Sequence, residues 1–339
     1  MTQGYTELKR YFGDPKCGDH IILQDPSSAK LVLKKMYGTN DDKKAETILE
    51  KTEERLQNIS KHIIECLDYE VKVESQLCSK FFTFNVFFEY PLYDLKLLLK
   101  ARMNEQKPFF HEELMFIFYH SLEALCYYQN YKGGNGFLQL DKLFYDLDNS
   151  LYKLCDNFHS LPLEQQYMNI FYTNDGYSIF PPEIFEKMKI GTAMTLNKPK
   201  LDTFNLGMIL LCLGNLVKPN DLYDYTSPKM GGFTFQKNID EFKKNFKKKN
   251  PLLVEIVLKL LVLDEKDRFT PVLARNEFPA YSAWLKVYEK NKKIVKNQPN
   301  ANFSYMDNFI SLNRNSIAND AINNSYVAKG QQGNFFDMV

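Results

Sequence analysis

The sequence predicts an α+β protein with a small β-rich N-terminal lobe, a larger α-helical C-terminal lobe and a polar C-terminal tail. Three observations predict this division. Short strand-like apolar runs fill the first part of the chain, apolar residues then recur at helical spacings, and Asn, Gln, Ser and Lys dominate near the end. We place the three parts at residues 1–90, 91–290 and 291–339.

The composition is that of a globular protein with no dominant charge. The chain has 339 residues, 44% of them hydrophobic, so it can bury a large core. Its 43 basic and 42 acidic residues nearly cancel, which argues against nucleic acid or a membrane surface as a partner. The longest apolar run, LGMILLCLGNLV at 206–217, is too short to cross a bilayer. We therefore expect a cytoplasmic protein, with the cytoskeleton and the cilium left open as locations.

The first lobe has the pattern of a small sheet that carries one helix. Strand-like runs occur at HIILQ, AKLVLKKMY and FFTFNVFFEY, and a helical stretch lies at roughly residues 43–60. Within that stretch, residues at spacings of three and four form one inward stripe. The stripe consists of Ala45, Ile48, Leu49, Thr52, Leu56 and Ile59.

After EYPLYDL the pattern becomes helical. A second apolar stripe runs through EELMFIFYHSLEALCYY, and further apolar helices are predicted after Asp202 and at PLLVEIVLKLLVL. Following the first of these helices, GNGFLQLDKLFYDL at 134–147 predicts a loop that leads into a short hairpin. The second stripe consists of Leu114, Ile117, Phe118, Leu122 and Leu125.

These segments occur in an order that resembles the protein-kinase fold. The matching segments are LVLKKM, a helix, FFEYPLYDLKLLL, a long helix, the loop at 134–147, YKLCDNF, FPPE, LDTFNLGMILLCL and LDEKDRFT, across roughly residues 5–285. Each match is moderate, and their order and intervals make the set specific. The resemblance implies a two-lobed protein-kinase-like fold.

The architectural motifs of that family are the best preserved. FPPEIF resembles the A-P-E segment, and DEKDRFT resembles the late D-x-x-x-R-x-T motif. The resemblance implies an ion pair between Glu183 and Arg268, and the planar guanidinium of arginine suits bidentate binding of a carboxylate. Asp202 matches the aspartate that braces the catalytic loop from beneath. An equally good interpretation makes Asp202 the N-cap of its own helix.

The loop that resembles the family's H-R-D-L-x-x-x-N segment lacks the residues that carry the chemistry. Asn135, Gly136 and Phe137 occupy the His, Arg and Asp places, so a phenyl ring stands where a carboxylate would accept the substrate's proton. Gln139 replaces the lysine that meets the transferring phosphate. Lys142 replaces the metal-binding asparagine, and its charge is expected to repel Mg²⁺.

The nucleotide-binding motifs are similarly incomplete. CDNF stands where D-F-G is expected, so Asp156 is the candidate for residual metal binding, with a structural turn as the alternative. Either Lys34 or Lys35 matches the strand lysine, and the alternation does not choose between them. Thr52 occupies the place of the glutamate that usually pairs with it, and Pro15 puts a residue without an N–H in the glycine-rich loop. We expect neither ATP nor a metal as a cofactor.

Two surface features predict contacts with other proteins. A lysine run within FKKNFKKKNP at 242–251 would face an acidic surface of a partner, and a solvated charged face is the alternative. At the end of the tail, Phe335 and Phe336 would enter a groove on another protein, and a frayed terminus is the alternative. The lysine run consists of Lys243, Lys244, Lys247, Lys248 and Lys249.

Preserved architecture combined with several separate losses of chemistry predicts a catalytically inactive pseudokinase. We expect it to act as a scaffold or structural subunit of a larger protein assembly, with the tail adding contacts as it becomes ordered on binding. One alternative is a divergent protein kinase with residual ATP binding through Asp156 and Lys34 or Lys35. Another is an allosteric regulator of an active kinase.

Overall fold

The computed structural model describes residues 4–14, 18–28, 30–57, 60–76, 79–90, 93–146, 148–155, 162–173, 176–190, 196–227 and 229–295. Several residues singled out in the sequence lie outside this part of the chain. They are Pro15, Ile59, Asp156, Phe335 and Phe336.

The N-terminal lobe is built on an antiparallel sheet. Its strands are β1 (Thr6–Asp14), β2 (Gly18–Gln24), β3 (Leu31–Thr39), β4 (Cys66–Gln76) and β5 (Ser79–Glu89). In the described residues their order across the sheet is β1-β2-β3-β5-β4. The three runs predicted as strands form β2, β3 and β5. β1 and β4 are not apparent from the sequence, because they lie at the two edges, where most of the side chains that the structure describes are exposed or half-buried and the apolar pattern is weak.

Helix α1 (Asp42–Gln57) packs on one face of this sheet, as the inward stripe predicts. Ala45 and Thr52 are buried, and Ile48 packs against the apolar face of the sheet. Arg55 is buried as well, and its guanidinium donates a hydrogen bond to the Ile64 carbonyl at 2.8 Å. A charged residue therefore belongs to the stripe that the sequence predicts to be almost entirely apolar.

The C-terminal lobe consists mainly of helices around a long buried one, α6. The helices are α2 (Leu95–Glu105), α3 (His111–Lys132), α4 (Leu163–Thr173), α5 (Pro182–Ile190), α6 (Lys198–Asn215), α7 (Phe233–Phe246), α8 (Pro251–Leu260), α9 (Pro271–Glu277) and α10 (Tyr281–Val295). Every residue of α6 from 201 to 214 is buried, so this helix forms the centre of the core. No helix in the described ranges is both long and apolar enough to pass through a membrane.

A small sheet lies at the junction of the two lobes. It consists of β6 (Tyr93–Asp94), β7 (Leu143–Asp146) and β8 (Leu151–Leu154). β7 and β8 are the short hairpin that the sequence predicts after the loop. After the loop, the chain runs through this hairpin towards the N-terminal lobe.

Two sets of contacts join β8 to the N-terminal lobe. The N–H of Ile64 donates to the carbonyl of Leu154 at 3.0 Å. The ammonium group of the buried Lys153 lies 2.7 and 2.8 Å from the two carboxylate oxygens of Glu89 and 2.9 Å from Asp146. The lobes are therefore connected by backbone pairing and by a cluster of charges, in addition to the chain itself.

Helix α10 covers the outer side of α3 through aromatic side chains. The ring of Trp284 lies edge-on to that of Phe116 with centroids 4.8 Å apart, and Tyr281 lies 5.4 Å from Tyr119. The helix continues to Val295, so ordered secondary structure extends past residue 291, where the sequence predicts the start of the tail.

Candidate functional site

The backbone conformation of the loop that follows α3 requires glycine. α3 ends at Lys132, and the next residue, Gly133, has a left-handed φ of 67° that stops the helix. Gly136 has a φ of 78°, and a Cβ atom built there would lie 2.7 Å from Leu163 Cδ2 and 2.9 Å from Lys198 Cγ. A side chain at position 136 would therefore need both a strained backbone and a displacement of its neighbours. The arginine that the family has at this place does not fit here.

Asp202 lies beneath the loop. Its carboxylate accepts the backbone N–H of Asn135 at 2.8 Å and that of Gly136 at 2.7 Å. Burial raises the pKa of Asp202 to about 7, although these two donors act in the opposite direction. α6 begins at Lys198 after its N-cap Asn197, so the interpretation of Asp202 as an N-cap is wrong. The early helix start places Asp202 a full turn inside α6, where it can brace the loop.

Phe137 is a residue of the hydrophobic core. Its ring is 3% exposed and lies edge-on to the ring of Tyr167, with centroids 5.0 Å apart. The Tyr167 hydroxyl donates to the carbonyl of Gly136 at 2.8 Å. Asn205, from α6, donates to the Tyr167 hydroxyl at 3.1 Å and to the carbonyl of Leu138 at 3.0 Å. The place that the resemblance assigns to a proton acceptor is thus filled by a buried apolar ring inside a network of hydrogen bonds.

Gln139 connects the loop to the segment before α5. Its side-chain amide donates to the carbonyl of Ile179 at 2.9 Å and accepts the Ile179 N–H at 2.8 Å. The next residue, Phe180, is bonded in the same way by the hydroxyl of Tyr223, which accepts the Phe180 N–H at 2.7 Å and donates to its carbonyl at 3.0 Å. Both polar atoms of the Gln139 amide are therefore used to hold the Ile179 backbone.

Lys142 and Asp156 are the residues matched to the family's metal-binding places. Lys142 is buried, and its carbonyl accepts the N–H of Cys155 at 2.7 Å. Asp156 follows directly but lies outside the described residues. Over the ranges that the structure describes, no three His, Cys, Asp or Glu side chains group together in a way that could hold a metal ion.

The register of β3 distinguishes the two candidate strand lysines. Side chains alternate along a strand, so Lys35 shares a face with Leu33, which belongs to the cluster packed against α1. Lys35 is 2% exposed, and its ammonium lies 5.6 Å from the centroid of the Phe88 ring. Lys34 is on the opposite face, 5.7 Å from the centroid of Phe87. Lys35 is therefore the lysine that faces the helix.

Helix α1 does not present a carboxylate to Lys35. Thr52 is fully buried at the place matched to the family's glutamate, and its hydroxyl donates to the carbonyl of Ile48 at 2.7 Å. Glu53 points outward and accepts a hydrogen bond from the Tyr69 hydroxyl at 3.1 Å. Within the described part of the chain, Lys35 contacts the Phe88 ring and forms no ion pair.

The ion pair implied by the resemblance is present. Arg268 binds Glu183 with both ends of its guanidinium, at 2.7 and 3.1 Å. The buried Arg268 also donates to the carbonyls of Val262, Leu263 and Lys200. One side chain therefore joins the start of α5 to the loop after α8 and to the first turn of α6.

Three supporting residues are missed by the sequence motifs, namely Tyr167, Asn205 and Tyr223. They bond to backbone groups 31, 67 and 43 residues away along the chain, so local patterns give little sign of their role. The one available signal is Asn205, a polar residue at the start of the otherwise apolar stretch NLGMILLCL. A buried amide in such a helix needs a partner, and here the loop provides it.

Comparisons with known proteins agree with this architecture at the level of the fold. No family model matches the chain, and no curated protein does. A crystal structure of a doubly substituted PknI kinase domain from Mycobacterium tuberculosis is similar, with a TM-score of 0.51 and 15% identity, covering 81% of this chain and 94% of that one. A second PknI kinase domain structure gives 16% identity and a TM-score of 0.49, with coverage of 81% and 96%. The chain has a two-lobed, protein-kinase-like fold.

Proposed function

We propose that this protein is a catalytically inactive member of the kinase-like fold class that acts as a scaffold or structural subunit of a larger assembly. The observation that carries the proposal is Phe137, a buried ring at the place where phosphoryl transfer needs a proton acceptor. Gly136 and Gln139 support it, because the backbone conformation of the first excludes an arginine and the amide of the second holds Ile179. These contacts stabilise the loop and direct none of the three residues towards a substrate.

The scaffold would work through surface contacts on a rigid platform. Bonds from Asp202, Gln139 and Arg268 fix the loop, the segment before α5 and the first turn of α6 relative to one another. A partner that binds this lobe then loses little entropy in ordering the lobe itself. An acidic surface of the partner would face the lysine run at 243–249, and the tail with Phe335 and Phe336 would add a second contact.

The test is a pair of measurements on the purified full chain. Isothermal titration with MgATP should give no binding, and incubation with a mixed peptide substrate should give no phosphate transfer above that of a heat-treated sample. Micromolar, magnesium-dependent binding together with transfer that Asp156→Asn removes would overturn the proposal. Asp264→Asn, an exposed acid outside the site, is the matched control for loss of charge.

A divergent kinase remains the second candidate, and one observation favours it. Lys35 is buried on the α1-facing side of β3, and its ammonium forms no ion pair within the described residues. A buried cation without a carboxylate is an unfavourable arrangement that a bound phosphate would relieve. If MgATP binds and Lys35→Met removes binding while Lys34→Met does not, the second candidate is the better description.

Assembly is tested by recovery of partners from native extract with and without the tail. The truncation should begin at residue 296, because α10 extends to Val295 and packs on α3 through Trp284 and Tyr288. We expect partner proteins to be lost or reduced when residues 296–339 are removed. Equal recovery with both forms would remove the tail from the proposal.

A further inference from the structure

We infer that the outward face of α7 is a docking surface for an acidic amphipathic helix of a partner protein, anchored at one end by Phe233. This inference rests on the proposed function, because it specifies the partner of the same scaffold. It starts from the orientation of the helix. Phe235, Ile239, Phe242 and Phe246 are buried and hold α7 against the core.

The opposite face of α7 carries lysines. At 100° per residue, Lys237 and Lys244 fall on the side away from the buried residues, and Lys247 and Lys248 follow in the turn at the C-terminal end of α7; all four are exposed. In the described residues none of the four takes part in an ion pair. Lys243 differs, because it is half-buried and bonds to Asp240 at 3.0 Å. The docking lysines therefore begin at Lys237 in α7 and continue into the turn that follows the helix, and they are not the whole sequence run at 243–249.

Phe233 gives the row of docking lysines an apolar end. Its side chain is 85% exposed at the first turn of α7, on the same face as the lysines. Leu263, 40% exposed, lies beside this turn, since a Cβ on Gly231 would come within 2.6 Å of its Cδ1. Aromatic side chains are enriched at protein interfaces, so Phe233 together with Leu263 provides an apolar contact for the docked partner.

The spacing of the charges selects a helix as the ligand. Two α-helices share a rise of about 1.5 Å per residue, so acids seven apart on a partner helix face Lys237 and Lys244, and acids three and four residues further on lie near Lys247 and Lys248. Electrostatic matching of this kind fixes the register of a docked helix. Apolar residues at one end of the partner would cover Phe233.

Nucleic acid fits the same surface less well. Asp240 and Glu241 lie among the lysines on the exposed side of α7 and would repel phosphates. The chain as a whole carries a net charge of only +1, which gives no long-range attraction for a polyanion. A protein helix can place neutral residues against the two acids, whereas a phosphate backbone cannot.

The experiment measures binding of a labelled, 21-residue designed helix by fluorescence anisotropy with the full-length protein. The peptide carries Glu at positions spaced three, four and seven apart and Leu residues near one end, and its counterpart has Gln in place of every Glu. We expect the Glu peptide to bind at least about 10-fold more tightly than the Gln peptide at low salt, with the difference shrinking as salt is added.

Two matched variants locate the site. Combined Lys237→Gln, Lys244→Gln and Lys248→Gln should weaken binding of the Glu peptide about 10-fold or more, and the same change at the exposed α1 lysines Lys43, Lys44 and Lys51 should alter it less than about 2-fold. Phe233→Ser should weaken it several-fold at high salt as well as low salt, because the contact is apolar. Circular dichroism checks that each variant is folded.

Several outcomes would overturn the inference. They are equal binding of the Glu and Gln peptides, an equal effect of the α1 and α7 substitutions, and tighter binding of a short DNA duplex than of the Glu peptide. Failure of this inference can be distinguished from failure of the proposed function. If the protein transfers phosphate and still binds the Glu peptide, only the scaffold proposal is wrong. If the protein binds neither the Glu peptide nor MgATP, only the docking surface is wrong.

Discussion

At the scale of single residues, Asp202 supplies the carboxylate that holds the loop after α3. Asp202→Ala would leave the N–H groups of Asn135 and Gly136 buried without acceptors, so we expect the free energy of unfolding to fall by about 2–4 kcal/mol. Urea unfolding measures this loss. Asp240→Ala removes an exposed acid and should leave the free energy of unfolding nearly unchanged. Similar losses in the two variants would contradict a bracing role for Asp202.

His120 makes stability sensitive to acid. Its Nδ1 accepts the N–H of Tyr152 at 3.1 Å, and its ring lies 5.2 Å from that of His62. Burial lowers the pKa of His120 to about 3, so the folded protein keeps this ring neutral while the unfolded chain takes up a proton below about pH 6.5. The associated stability is fully present above pH 6.5 and is lost as the pH falls towards 3.

His120→Asn tests this dependence while keeping an acceptor near the position of Nδ1. Between about pH 7.5 and pH 5.5, we expect wild type to lose about 1.4 kcal/mol more of its free energy of unfolding than the variant loses. Urea unfolding at the two pH values gives the comparison. Asp202 and the other titrating groups that do not contact His120 are present in both proteins, so their effects cancel. Parallel pH profiles would show that His120 is not responsible.

The identity of the residue at 137 is evident from the sequence, but its environment is not. The order of the motifs is enough to align Phe137 with the family's catalytic acid. Its burial depends on Tyr167 and on the bond from Asn205 to Tyr167, and those contacts join parts of the chain that no local pattern connects. The same reason explains why the motif alone does not reveal that the Gln139 amide holds Ile179.

At the scale of secondary-structure elements, the bidentate pair of Arg268 and Glu183 fixes α5. Arg268→Leu would leave the Glu183 carboxylate largely buried without its partner, and we expect a loss of about 3–5 kcal/mol. Adding Glu183→Leu should restore part of this loss and not all of it, because three carbonyl groups still lack the guanidinium donor. A double-mutant cycle from urea unfolding separates the two contributions. Equal stability of the single and double variants would exclude the isolated charge as the cause.

The elements that sequence patterns predict are the ones that are long and rich in apolar residues. α3 and β5 are evident for this reason, although α3 is buried at every residue from 114 to 122 and β5 at every residue from 84 to 88. β4 and α4 are less evident from the sequence. β4 lies at the edge of the sheet and carries alternating charges, and α4 has only a few buried residues. The choice between Lys34 and Lys35 required the pairing partners of β3, which only the folded sheet supplies.

At the scale of the whole molecule, Lys153 links the two lobes. Lys153→Met would leave Glu89 and Asp146 facing one another without a cation, and we expect a loss of about 2–4 kcal/mol together with faster amide hydrogen exchange at Ile64 and Leu154. The chain offers a matched control across the same junction. Lys30 lies 3.3 Å from Asp148 with both side chains more than two-thirds exposed, so Lys30→Met should cost less than about 0.5 kcal/mol.

Urea unfolding and hydrogen exchange followed by mass spectrometry give the two readouts for this comparison. Unchanged exchange at the junction in Lys153→Met would mean that backbone pairing alone holds the lobes together. The two-lobed division itself was predictable from the change in periodicity near residue 90. The charges that join the lobes were not, because Lys153, Glu89 and Asp146 come from three separate segments of the chain.

The burial of Phe137 also limits how descendants of this chain can change. An acid introduced at 137 would remove a packed ring and place a charge in its cavity, at a cost of about 3–5 kcal/mol out of a total stability of typically 5–15 kcal/mol. A loss of that size lowers the folded fraction and the cellular abundance of such a mutant. An acid at 137 therefore requires compensating substitutions among the residues that pack on the ring, such as Tyr167.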